Sequence, residues 1–142
     1  MKRLPLFFAI FMATFLMTAC ENSKPLGKET NLKDSMIRIA ELEIDSLYLD
    51  EYNAILKEEA AASIRLESGV ISIFPMYQKD NPTKVSIVEI YANKTAYESH
   101  LQTPHFLKYK TTTLNMVKSL NLIEMEAIDL AMMREIFTKL TE

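Results

Sequence analysis

Between residues 36 and 129 the spacing of apolar side chains switches in a fixed order: period two, period 3.6, period two twice, period 3.6, and period two again. A strand sends alternate residues to opposite faces, and a helix returns to one face every three to four residues. The order therefore predicts β-α-β-β-α-β. The first strand, residues 36–44, puts Met36, Arg38, Ala40, Leu42 and Ile44 on one face and Ile37, Ile39, Glu41 and Glu43 on the other. Asp45 and Ser46 are cap-type residues. Helical spacing then runs over residues 47–67, with Tyr52, Ile55, Leu56, Ala60 and Ile64 as contact residues. Glu58 and Glu59, on an Ala-rich stretch of this helix, read as its solvated face. Gly69 stands where a left-handed residue commonly ends a helix.

Strands over residues 70–78 and 84–92 are joined by Lys79, Asp80, Asn81, Pro82 and Thr83, a turn-rich hairpin link. Pro75 has no N–H for a ladder, which predicts an edge strand or a bulge. Asn93 caps a helix over residues 94–102, and Thr103 with Pro104 restarts it as N-cap and first-turn proline. Phe106, Tyr109, Thr113, Met116, Val117 and Leu120 then line one helical face. Residues 121–129 alternate as the fourth strand. The tail, residues 130–142, carries Leu130, Met133, Phe137 and Leu140 as an amphipathic stripe.

This is the ferredoxin-like α+β unit, with no internal domain boundary between residues 36 and 129. Helices can cover only one face of such a sheet. The other face keeps large apolar groups and needs a cover, for which a second copy of the chain is the simplest candidate. Composition narrows the function classes. In 142 residues, 16 Lys+Arg stand against 19 Asp+Glu, so no broad basic face for nucleic acid is expected. Two Gly cannot build a Gly-rich phosphate loop. One Cys excludes an internal disulfide, and two His without Cys or paired carboxylates at ligand spacing predict no metal site. The nine Met read as leader and core filler.

The chain begins with Lys2 and Arg3, followed by an uncharged stretch from Leu4 to Ala19 that is short for a membrane span. Leu16-Met17-Thr18-Ala19-Cys20 resembles the lipobox of bacterial lipoproteins, which needs a small residue before the cut and a thiol to carry lipid. Residues 1–19 are thus expected to be a signal peptide, Cys20 to be lipidated, and residues 20–35 to be a polar tether. The expected location is the bacterial cell envelope, with the membrane engaged only through the N-terminal lipid.

Residues 84–105, KVSIVEIYANKTAYESHLQTPH, hold Glu89 and Tyr91 on a strand, then Ala96, His100-Leu101 and Thr103-Pro104-His105, with Phe106 following. This run resembles the antibiotic biosynthesis monooxygenase domain and is most similar to its small quinol monooxygenases. The resemblance covers residues 36–128. It implies a ferredoxin-like protomer that pairs sheet to sheet into a dimeric α+β barrel, with a pocket between sheet and helices. It also implies O₂ chemistry on phenolic or quinol-type substrates, often without metal, flavin or haem, so no cofactor is expected. Relatives on this fold include haem-degrading enzymes and isomerases. Tyr91 stands where many members carry Trp, and the chain has no Trp, on which the haem-degrading relatives rely.

The candidate residues follow from chemistry and from that motif together. His100 shares a helix face with Tyr97 and Leu101 and is expected to be the base, because an imidazole exchanges protons near neutral pH. His105, in the first turn of a helix, is expected to donate an N–H to a developing oxyanion. Glu89, among apolar neighbours, is expected to orient an imidazole or a substrate hydroxyl. Tyr91, Tyr97, Phe106 and Tyr109 are the expected substrate contacts. The sequence thus points to a cofactor-independent monooxygenase acting on a small quinol or phenol as an envelope-anchored homodimer. The alternatives are a non-catalytic module binding a small ligand in the same pocket, or an isomerase.

Overall fold

The computed structural model describes residues 32–140. The expected leader, Cys20 and the tether as far as residue 31 lie outside the described residues. A short 3₁₀ turn, Leu32–Asp34, leads into β1 (Met36–Ile44), then α1 (Leu49–Leu66), β2 (Val70–Gln78), β3 (Asn81–Tyr91), α2 (Lys94–His100), α3 (Pro104–Thr112), β4 (Val117–Met125) and α4 (Leu130–Lys139). The four strands form one antiparallel sheet in the order β2-β3-β1-β4, which is the ferredoxin-like arrangement. No helix among the described residues is long and apolar enough to cross a membrane.

β1 alternates as expected and sits between β3 and β4, so both its edges are hydrogen-bonded. The register lays three rows of side chains across the sheet on the helix side. They are Ile73–Glu89–Arg38–Glu124, Pro75–Ile87–Ala40–Leu122 and Tyr77–Val85–Leu42–Leu120. Tyr52, Leu56 and Ala60 of α1 pack on these rows with Ala40, Leu42, Ile44, Ile73, Val85 and Ile87. Burying each large apolar side chain stabilises the fold by roughly 1.5–3 kcal/mol. On the opposite face the row Phe74–Val88–Ile39–Ile123 crosses all four strands, and Phe74 is 59% exposed.

Pro75 lies on β2, an edge strand, as its missing N–H requires; the register slips at Val70/Ser72 and Tyr77/Gln78 rather than at the proline. Several boundaries differ from the sequence reading. β3 begins at Asn81, leaving Lys79 and Asp80 as the turn, because Pro82 at a strand start loses no central ladder bond. α3 ends at Thr112, and β4 starts at Val117, ahead of the expected residue 121. The helical spacing of Met116, Val117 and Leu120 is therefore a coincidence of two elements. Asp45 N–H bonds the Met116 carbonyl at 2.8 Å and Ile44 pairs with Val117, so the sheet captures this segment. On α1, Ile64 is exposed, while Glu59 and Ser63 are buried. Gly69 has no positive φ. Its constraint is space: a Cβ there would lie 2.5 Å from the Ala96 Cβ, where α2 crosses the start of β2.

The tail forms α4, capped by the Asp129 side chain on the Ala131 N–H. Of its expected stripe, Leu130 and Met133 are half-buried, while Phe137 and Leu140 are exposed.

Candidate active site

A cavity of about 470 Å³ lies between the cavity-side rows of the sheet and the helices α1, α2 and α3. Its walls are mainly apolar: Leu42, Leu56, Ile73, Ile87, Phe106 and Leu122. Its polar lining includes Arg38, Glu59, Glu89, Tyr91, Tyr97 and His100, with Lys110 and Lys118 also on the wall. Such a pocket, apolar with a few convergent polar groups, is the usual form of a small-molecule site.

His100 is brought there by two local devices. The Asn93 side chain caps α2 through the Ala96 N–H at 2.9 Å, and Thr103 caps α3 while its hydroxyl bonds the His100 carbonyl at 2.8 Å. The His100 ring is 3% exposed. Its Nδ1 lies 3.0 Å from Glu67 Oε1, and its Nε2 lies 3.8 Å from Glu59 Oε1 on the cavity wall. Burial acts to raise the Glu67 carboxyl, but hydrogen bonds from both histidines outweigh it and hold the group below the ordinary carboxylate range. An ionised Glu67 accepts from the Nδ1–H, which leaves Nε2 as the ring's lone-pair nitrogen.

His105 also points at Glu67, with Nε2 2.5 Å from the same Oε1. It does not line the cavity; Phe106 and Tyr109, from the same helix, do. Its N–H is thus engaged by Glu67, away from the expected oxyanion position. Glu89 accepts from the Tyr91 hydroxyl at 3.1 Å rather than from an imidazole. Burial pushes Glu89 up, partly offset by that hydrogen bond and by the Arg38 charge. Burial likewise pushes the Tyr91 phenol up, well above its ordinary value. All four expected substrate contacts, Tyr91, Tyr97, Phe106 and Tyr109, line the cavity. They form a chain of ring contacts through His100: Tyr97–Tyr91 at 5.3 Å, Tyr91–His100 at 5.4 Å, His100–Phe106 at 4.7 Å and Phe106–Tyr109 at 6.2 Å. The Tyr109 hydroxyl pairs with that of Tyr52 at 2.9 Å, and burial pushes its pKa up to about 12.

Three site residues escaped the sequence reading. Glu59 is not on a solvated face: it is 5% exposed, lines the cavity, and accepts from the Ser63 hydroxyl at 2.7 Å. Burial pushes its carboxyl up, against the Ser63 bond and the nearby histidines. The signal was present, because Glu59 and Ser63 continue the stripe of Tyr52 and Leu56 at helical spacing. Glu67, the C-cap of α1, gave no local signal of its partners. Arg38 shares a strand face with Ala40 and Leu42, and it is buried on the cavity wall with its guanidinium 4.3 Å from the centre of the Tyr97 ring.

Glu67, His100 and His105 offer three ligand atoms within 4.8 Å of one another, a donor set suited to zinc or iron. At tetrahedral metal–ligand distances such atoms stand ~3.3 Å apart. Here the nitrogens are 3.0 and 2.5 Å from the oxygen, which is hydrogen-bond spacing, so the rings would have to part to admit an ion.

A family model described as antibiotic biosynthesis monooxygenase matches residues 35–112. Among solved structures, a "putative antibiotic biosynthesis monooxygenase" from Bacteroides thetaiotaomicron is 46% identical, with a TM-score of 0.68 over 69% of this chain and 93% of its own. A "putative monooxygenase" from Lactobacillus acidophilus is 28% identical, with a TM-score of 0.63 over 64% of this chain and 43% of its own. A protein from Nitrosomonas europaea, 16% identical over 68% of this chain and 93% of its own, shares the fold with a TM-score of 0.64. No curated protein matches the chain.

Proposed function

We propose, from the premise that this chain belongs to the antibiotic biosynthesis monooxygenase family, that its cavity oxygenates a small hydroquinone or phenol with O₂ and needs no bound cofactor. The observation that carries the reading is the orientation of His100: Nδ1 is held by Glu67, and Nε2 is turned toward Glu59, with His100 and Glu59 both on the cavity wall. A base fixed in one tautomer by a carboxylate is the arrangement general-base catalysis needs.

The steps balance with substrate and O₂ alone. Nε2 takes the proton of a substrate hydroxyl. The resulting phenolate passes one electron to O₂, giving a superoxide and an aryloxyl radical. These join at a ring carbon that bears hydrogen, forming a C–O bond and a peroxide. The C–H proton passes to the outer oxygen as the O–O bond breaks, so one oxygen stays on the ring as a carbonyl. The other leaves as hydroxide, which takes the proton back from His100 and departs as water. A hydroquinone thereby becomes a hydroxyquinone, and the quinol itself supplies the electrons. Glu59 lines the cavity beside His100 and, when protonated, can hydrogen-bond to the peroxide oxygen. The apolar walls keep bulk water from the radical pair.

The working unit is proposed to be a homodimer covering the row Phe74–Val88–Ile39–Ile123, tethered to the cell envelope through lipid on Cys20. Oxygen uptake with a panel of hydroquinones tests the activity. The expected result is one O₂ consumed per quinol, with one labelled oxygen from ¹⁸O₂ in the product. Ligand binding without oxygen uptake would leave the non-catalytic binding module instead.

A further inference from the structure

Arg38 sits at the centre of the row Ile73–Glu89–Arg38–Glu124, on the cavity side of the sheet. Its side chain is 9% exposed, and the guanidinium remains charged at any working pH. A buried cation ordinarily has its donors filled by a close carboxylate. Here they are not. The Nε has no hydrogen-bond partner. The ion pair with Glu124 spans 3.5 Å, to a carboxylate whose side chain is 79% exposed. Glu89, the cross-strand neighbour on the other side, is the evident counter-ion, yet the hydrogen bond it makes is to the Tyr91 hydroxyl, which donates to its Oε2 at 3.1 Å.

The remaining neighbours fix the guanidinium without neutralising it. The Tyr97 ring lies 4.3 Å from it, which supports a planar cation at a set position. Burial pushes the carboxyls of both Glu59 and Glu89 up, which weakens their opposition to this charge, and Lys110 and Lys118 also line the cavity.

We propose that Arg38 is the residue that selects the substrate, and that the substrate is a hydroxyaromatic carboxylate whose anionic group takes the spare guanidinium donors. This rests on the reading of the cavity as the substrate site and narrows it. The apolar walls accept the ring, Arg38 binds the carboxylate after a small rotation of its terminal torsions, and the hydroxyl is left for His100. A guanidinium–carboxylate pair in a site shielded from water discriminates strongly against a neutral analogue, because the analogue leaves the donors unfilled.

Calorimetry on the full-length chain at pH 7 tests this with 4-hydroxybenzoate and its neutral counterpart, 4-hydroxybenzyl alcohol. The carboxylate is expected to bind tenfold or more tightly. Arg38→Met should bring the two within twofold of each other, while Arg38→Lys should keep part of the preference. Equal affinities for the unaltered protein, no binding of 4-hydroxybenzoate, or a preference that survives Arg38→Met overturns the proposal. The comparison on the unaltered chain decides the matter even if a variant does not fold. Oxygen uptake measured on the same samples separates this inference from the oxygenase reading. Uptake without the carboxylate preference sinks the selectivity alone; the preference with no uptake here or with the hydroquinone panel supports the selectivity and sinks the oxygenase.

Discussion

Glu67, the C-cap of α1, holds Nδ1 of His100 at 3.0 Å although the two are 33 residues apart in the chain. That contact ties the end of the first helix to the end of the second and fixes which imidazole nitrogen faces the cavity. It makes His100 a structural and a chemical residue at once. An effect of its substitution on stability is therefore expected, unlike that of a solvent-facing base.

His100→Gln should lower turnover about 10²–10⁴-fold, the usual loss when a general base is removed. Glu67→Gln should lower kcat by a similar factor with KM nearly unchanged, because it alters the orientation and tautomer of the base rather than substrate contacts. Glu67 is depressed below its ordinary 4.5, so the stability it contributes is present above that pH and lost as pH falls through its folded pKa. The melting temperature gap between the unaltered protein and Glu67→Gln should close in acid. A gap independent of pH would contradict the ionised Glu67.

Glu59 should show the opposite sign. Burial raises it above 4.5, so the native state holds a proton that the unfolded state releases. Stability then falls as pH rises from that value through the folded pKa. Thermal melts of Glu59→Gln, which cannot titrate and can keep the Ser63 bond, should gain on the unaltered protein as pH increases over that range.

Gly69→Ala should destabilise by about 1–3 kcal/mol, as overpacking does. The cause is the 2.5 Å approach to the Ala96 Cβ, since the backbone φ is not in the left-handed region. Ala96→Gly in the same chain should recover part of the loss, less about 1 kcal/mol for glycine inside a helix. If the double variant is no better than Gly69→Ala, the contact is not the reason for the glycine.

Sedimentation at micromolar concentration should show a dimer. Val88→Lys, in the middle of the row Phe74–Val88–Ile39–Ile123, should give a folded monomer, since a two-fold interface would bring the new charge near its own symmetry mate. A dimer that tolerates Val88→Lys would locate the interface elsewhere.

Cys20→Ser should abolish partition of the mature protein into detergent or leave it unprocessed. Labelling with a fatty-acid analogue gives an independent readout. Unchanged partition of the variant would remove the lipid from the account.

The periodicities alone determined the element order and the ferredoxin-like class, because β1 and α1 each declare themselves through side chains that repeat within one element. Asn93, Thr103 and Pro104 similarly announce the starts of α2 and α3, since a cap is a local bond. The motif from Glu89 to Phe106 was enough to place Glu89, Tyr91, Tyr97, His100 and Phe106 on the cavity wall. What the sequence could not decide were relations between elements. Val117 and Leu120 continue a helical spacing but join the sheet, because pairing with β1 outweighs local period. Glu59 continues the stripe of Tyr52 and Leu56, but that the cavity tolerates a carboxylate on this inner face shows only once α1 is laid on the sheet. The partners of Glu67 and the spare donors of Arg38 exist only once three strands and three helices are assembled. A hydrogen bond between distant residues leaves no periodic trace in either segment, and burial, which acts on each of these carboxyls, belongs to the packed whole.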